Sequence, residues 1–152
     1  MSHIVPPRSE HDDPLSRMKA YTFARELLKD CWPDAEKTKH HEVTQKVSAQ
    51  LYAAVGSIAA NIAEGYSRSS GKDRARIFEY ALGSVRESMT WYYAAEPVLG
   101  ESLVSDRLDK LEQIRRMLLA IIPRERNHLV RPGASAKTES SQAPRHRVRI
   151  SH

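Results

Sequence analysis

Residues 47–65 read Val-Ser-Ala-Gln-Leu-Tyr-Ala-Ala-Val-Gly-Ser-Ile-Ala-Ala-Asn-Ile-Ala-Glu-Gly, and their reading decides the fold. At about 100° per residue, Val47, Leu51, Ala54, Val55, Ile58 and Ile62 share one arc roughly 100° wide. That is the buried stripe of an amphipathic helix, starting near Glu42, with Gly65 as its expected stop. The opposite side carries Ala49, Tyr52, Ala53, Gly56, Ala59, Ala60 and Ala63, none of them charged. A solvent-facing side normally carries Lys, Glu or Arg. Small residues let a second backbone approach closely, so Ala49, Tyr52, Gly56, Ala59, Ala60 and Ala63 are read as an interface with another copy of the chain. The alternative is an exposed helix rich in Ala because Ala favours helix. Between the two sides, Gln50, Ser57, Asn61 and Glu64 form a narrow polar strip. Buried polar groups must find partners, so the strip is read as a structural network fixing register against the next helix, together with Glu87.

Working outward, the same period recurs three times. Leu15 to Trp32 holds Met18, Tyr21, Phe23, Ala24, Leu27, Leu28 and Cys31 at helical spacing, with Pro14 suited to a first turn and Pro33 expected to end the helix. Asp34–His41 is a charged segment. After a Ser/Gly turn over Tyr66–Gly71, a third helix from about Lys72 carries Phe78, Ala81, Leu82, Val85, Met89 and Tyr92 and stops near Pro97–Gly100. Its second side presents Tyr80, Gly83, Ser84 and Trp91 around Glu87. A fourth helix, capped by Ser102 or Ser105, carries Val104, Leu108, Leu111, Ile114, Leu118 and Ile121 and ends at Pro123. No period-2 run of useful length is present. The expected fold is all-α: an up-down-up-down four-helix bundle over 15–122, with a disordered lead-in over 1–14 and a basic disordered tail over 123–152.

The chain's 152 residues, 40 % apolar and 28 % charged, suit one domain with a solvated surface. Its single Cys31 excludes an intrachain disulfide framework and a multi-cysteine zinc site, and fits a reducing compartment. The first residues carry no apolar core of a secretory signal. Val47–Ala63, the longest uncharged stretch, is too short and polar to span a bilayer, so a cytoplasmic protein with no membrane partner is expected. The net charge of +5 is uneven: residues 1–122 balance 17 Lys and Arg against 17 Asp and Glu, while 123–152 hold 7 − 2 = +5.

Ser57-Ile58-Ala59-Ala60-Asn61-Ile62-Ala63-Glu64-Gly65, then Arg68 and Ser70, then Phe78, Ala81, Gly83-Ser84 and Glu87, resemble the signature of the 23S rRNA intervening-sequence family of four-helix-bundle proteins. The pattern is S-I-x-x-N-I-A-E-G-x-x-R-x-S followed by F-x-x-x-A-x-G-S-x-x-E, with Gln50 seven residues before its first Ser. The match spans about residues 50–87, and the looser helical pattern extends over 15–122. The resemblance implies a small bacterial cytoplasmic bundle, non-enzymatic and without cofactors, that assembles into a homo-oligomeric ring, a pentamer. Some members are encoded within insertions of bacterial 23S rRNA genes, and distant relatives accompany reverse transcriptases of diversity-generating retroelements. Nucleic acid or a nucleic-acid enzyme is the implied partner. The sequence departs from the pattern in having Tyr52 and Ala53 where many members have two Arg, about seven extra residues between Pro33 and Val47, and the basic tail.

The densest cationic feature is the turn before the third helix, with Arg68, Lys72, Arg74 and Arg76 against Asp73. Repeated around a ring it would form a rim for RNA or DNA backbone; the plainer reading is a solvated helix start. His40 and His41 point about 100° apart on a helix and cannot chelate one metal from one face. Arg145, Arg147 and Arg149 suit phosphates or an acidic partner, or simply solubility. No phosphate-binding glycine loop, metalloprotease motif or Ser/His/Asp signature is present. Two functions follow: an oligomeric adaptor binding nucleic acid through a basic rim, or a protein–protein assembly module with no nucleic-acid role.

Overall fold

The computed structural model describes residues 13–128. Four helices make up the bundle: α1 (Lys19–Lys39), α2 (Gln45–Tyr66), α3 (Gly71–Leu99) and α4 (Glu101–Arg126), with short 3-10 turns at Pro14–Arg17 and Glu42–Thr44. No strand occurs among the described residues. α1 runs along α2, α2 along α3 and α3 along α4, and α1 meets α4 to close an up-down-up-down bundle. The expected stripes meet at the centre: Leu27 and Cys31, then Leu51, Val55, Ile58 and Ile62, then Phe78, Val85 and Tyr92, then Leu111, Ile114 and Leu118. No described helix is long and apolar enough to cross a membrane.

The helix ends differ from the sequence reading in a consistent way. Pro33 does not end α1, and Pro123 does not end α4; both lie inside their helices. An interior proline costs about 3 kcal/mol through a lost hydrogen bond and a clash. Both prolines are exposed, and the turns beyond them make tertiary contacts. After Pro33 the chain buries Asp34, Ala35 and Thr38. After Pro123 it brings Glu125 to Arg74 and Arg126 to Glu79. The predicted boundaries at 14 and 122 shift accordingly, since Pro14 opens a 3-10 turn capped by Asp13 and residues 123–126 are helical. Residues 1–12 and 129–152 lie outside the described residues, with most of the expected lead-in and tail.

The tight crossings are set by side chains and glycines. Thr44 donates to the Thr38 carbonyl at 2.7 Å and Ser48 to the Ala35 carbonyl at 2.7 Å, tying α2 to the end of α1. Gly65 is not a left-handed stop: α2 runs one residue past it, and a Cβ there would lie 2.8 Å from the Phe78 ring. Ser70 caps α3 by accepting from the Asp73 N–H at 3.1 Å. Between α3 and α4 the chain turns at Gly100 with φ 89°, so neither Ser102 nor Ser105 caps α4.

Candidate interaction surfaces

On the outside of the α1–α2 pair, Trp32 is 56 % exposed and Tyr52 37 %. Their rings meet edge to face with centroids 5.5 Å apart. They flank a groove of about 430 Å³ whose floor includes Ala35, Ser48 and Ala49 and whose rim carries Glu36, Lys39, His40 and Gln45. Of the six residues assigned to an interface, Ala49, Tyr52 and Ala60 are exposed, and Gly56 and Ala63 are half-buried. Ala59 is only 7 % exposed and belongs to the core, which corrects the sequence assignment. A Cβ on Gly56 would touch Leu28 of α1 at 3.7 Å. Part of the charge-free side of α2 is therefore uncharged because α1 covers that flank, and the open remainder runs along Ala49, Tyr52, Ala53 and Ala60.

The polar strip does not form the expected network. Its contact across to α3 is long, Asn61 Nδ2 to Ser84 Oγ at 3.4 Å. Ser57 donates to its own helix at the Ala53 carbonyl, Glu64 pairs with Arg68, and Glu87 accepts from Trp91 within α3. Gln50 is exposed. A residue four positions away on the same helix is always within reach, and here it outcompetes the neighbouring helix.

The network that does cross helices lies elsewhere. Asp34 of α1, 3 % exposed, accepts from the Tyr92 hydroxyl of α3 at 2.8 Å and from Arg107 of α4 through Nε at 2.7 Å and Nη2 at 3.3 Å. Arg107 also donates to Asp106 at 2.6 Å, and Lys110 bridges Asp30 at 2.9 Å and Asp106 at 3.2 Å. The hydrogen bond to Asp34 holds the Arg107 guanidinium above its ordinary range. Beside it, burial pushes the Cys31 thiol up to about 11. Burial, then the neighbouring Cys31 and Asp34, raises the Tyr92 phenol. A sealed neutral thiol is a poor nucleophile, so the cluster is a structural tie. The sequence signal was present: Asp34 continues the stripe of Leu27 and Cys31 at spacings of four and three. Reading Pro33 as a stop hid it.

At the opposite end, the basic turn is more compensated than its sequence suggests. Arg68 pairs with Glu64 at 2.7 Å, Arg74 with Glu125 at 2.8 Å, and Arg76 with Asp73 at 3.7 Å. Glu125, 51 positions from Arg74, could not be foreseen locally. Arg76 also lies over the Tyr80 ring at 5.8 Å, whose hydroxyl accepts its hydrogen bond at 3.3 Å. Lys72 is exposed. Arg126 at the end of α4 and His128 just beyond it line a cleft of about 510 Å³ with Ser69, Ser70, Lys72 and Arg74. His41 accepts from the Val43 N–H through Nδ1 at 3.3 Å, while His40 stands on the α1–α2 groove rim.

The family model of the 23S rRNA-intervening sequence protein matches residues 16–120, and the chain belongs to that family. No curated protein matches the chain.

Proposed function

We propose that this member of the 23S rRNA-intervening sequence protein family is a non-enzymatic homo-oligomeric adaptor of the cytoplasm. Its copies meet through the outer face of α2, in the ring of five that the resemblance implies, and its cationic end holds RNA or DNA backbone. The observation that carries the assembly is the exposed Trp32–Tyr52 pair continuing into Ala49, Ala53 and Ala60. Aromatic anchors beside small residues combine large apolar burial with close backbone approach.

Light scattering of the full chain at micromolar concentration tests the assembly. The wild type is expected to be an oligomer, and Ala60→Glu and Tyr52→Glu are expected to be folded monomers by circular dichroism. A monomeric wild type overturns the proposal. A second reading, assembly with another protein and no nucleic acid, draws support from the pairing of Arg68, Arg74 and Arg76 with carboxylates. Absence of RNA and DNA binding at low salt favours this second reading.

A further inference from the structure

Where the start of α3 meets the end of α4, two cavities of opposite character share one wall. Gly71 opens α3, and a Cβ there would overlap the Glu125 carbonyl, so the last turn of α4 lies directly against it. Arg74, less than a turn further on, reaches Glu125 at 2.8 Å and the Arg68 carbonyl at 3.1 Å. Its side chain lines both cavities. On one side is the polar cleft of about 510 Å³ with Ser69, Ser70, Lys72, Arg126 and His128. On the other is a cavity of about 530 Å³ with Met18, Tyr66, Phe78 and Ile121. The cleft is cationic: Glu125 pairs with Arg74 and Glu79 with Arg126, while Lys72 has no carboxylate partner among the described residues. The second cavity is apolar apart from the Arg74–Glu125 pair. Phe78, 1 % exposed, closes it toward the core, and Tyr66 is 39 % exposed. Among the described residues no aromatic or cationic group stacks on the Tyr66 ring.

We infer that the two cavities together hold one unpaired nucleotide of a single strand, its phosphate in the cleft at Lys72 and its base in the apolar cavity at Tyr66. This rests on the nucleic-acid reading above and narrows its ligand from backbone in general to single strands. A phosphate is held by cations and donors, and the cleft offers Lys72, the Arg126 guanidinium and the Ser69 and Ser70 hydroxyls. A base is held by an aromatic face with apolar walls beside it, which Tyr66, Met18 and Ile121 supply. Arg74 stands between them, so the two subsites lie one side chain apart, on the scale of a nucleotide's own base and phosphate. Bases within a duplex are stacked on both faces and cannot enter such a cavity without leaving the helix. An acyl chain would need a channel, which Phe78 closes. Recognition uses the face of the base and not its edges, so sequence preference is weak.

The test is fluorescence anisotropy of the full-length protein across NaCl concentrations with three labelled probes, each made in RNA and in DNA. They are a mixed-sequence single strand of about 12 nucleotides, within the range of single-strand sites, its duplex, and an abasic strand of the same length and charge. The wild type should hold the single strand more tightly than the abasic strand. Tyr66→Ala should weaken the single strand by roughly 5–150-fold, the worth of one stacked base, and leave the abasic strand, the duplex and the salt slope unchanged. Tyr66→Phe, which keeps the ring, should bind as the wild type does. Lys72→Gln should lower the log–log salt slope by about 0.7 on the single and abasic strands alike. Equal wild-type affinity for single and abasic strands overturns the nucleotide site and leaves the backbone reading standing. So does Tyr66→Ala without a selective loss, or Lys72→Gln with an unchanged slope. Displacement of the strand by AMP at the strand's own concentration makes a free nucleotide the ligand and also overturns it. No binding of any probe at low salt overturns both readings. Circular dichroism and light scattering check the fold and assembly of each variant, and the abasic comparison decides the matter without one.

Discussion

Replacing Arg107 by Met should cost far more stability than replacing its partner Asp34 by Asn. Arg107 supplies two of the three hydrogen bonds to Asp34, and Asp34 is 3 % exposed. In Arg107→Met the carboxylate is left with the Tyr92 hydroxyl alone, far from water. Stranding a buried charge this way costs about 3–5 kcal/mol. The reverse change is milder. In Asp34→Asn the guanidinium, whose side chain is 14 % exposed, keeps Asp106 at 2.6 Å, and the amide oxygen still accepts from Tyr92. A loss of about 1–2 kcal/mol is expected there, near the worth of one or two charge-assisted bonds. The described bundle has 116 residues, 13 to 128. At about 2.1 cal/mol/K per residue its unfolding entropy is roughly 0.24 kcal/mol/K, so 3 kcal/mol lowers Tm by about 12 °C. Thermal and urea melts at fixed protein concentration measure both variants, since assembly would make Tm concentration-dependent. The double variant should lose less than the sum by at least about 1.5 kcal/mol, because the interaction is already gone. Equal losses for the two single variants, or strict additivity, would refute the view that Asp34 is the stranded member of a coupled pair.

Below pH 9 Cys31 should react with a thiol reagent only as fast as the bundle opens. Its pKa is raised to about 11 from an ordinary value of 9.0, so the folded chain holds that proton more tightly than the unfolded one. Stability from this group is complete below pH 9 and is lost as pH rises to 11, by about 2–3 kcal/mol in total; urea melts of Cys31→Ala should show a shallower decline over that window. Gly65→Ala should destabilise through collision with the Phe78 ring, by about 1–3 kcal/mol, and a melt within about 0.5 kcal/mol of wild type would show that the ring yields freely. Asn61→Ala should cost under about 1 kcal/mol, since its bond to Ser84 is 3.4 Å long, and a loss above about 2 kcal/mol by urea melt would restore the strip as a network.

The helix count, the order of packing and most of the core were legible because the 3.6-residue stripe is set by burial, and burial is what the bundle provides. The helix ends were less legible because a proline's effect is local while what overrides it is not. Past Pro33 the deciding residues are Asp34 and Thr38, one bonded to α3 and α4 and the other accepting from Thr44. Past Pro123 they are Glu125 and Arg126, paired with residues 51 and 47 positions away. The same distance effect governs charge. Three of the four turn cations face acids, Glu64, Glu125 and Asp73, of which only Asp73 lies inside the turn's own run of charges. Glu64 precedes Arg68 by one helical turn and was readable at that spacing, whereas Glu125 required the fold.

For α2 the difference between sequence and structure has another cause, since its residues do not divide into a core side and an outside only. In a bundle each helix has two flanks as well, and the flank toward α1 takes Gly56 through Leu28 and seats Tyr52 against Trp32. Ala59 goes further and joins the core. The uncharged surface left for a second copy is narrower than the sequence implied, along Ala49, Tyr52, Ala53 and Ala60. A specific interface usually needs about 800 Å² per partner. One strip of small residues supplies a fraction of that, so an assembly through this face has to enlist α1. Trp32 is the residue positioned to do it: large, more than half exposed, and already in contact with Tyr52. The proposed interface is therefore a two-helix surface. Trp32→Ala should then weaken the oligomer although Trp32 lies outside α2, and an oligomer unmoved by that change would confine the contact to α2 or place it on another face.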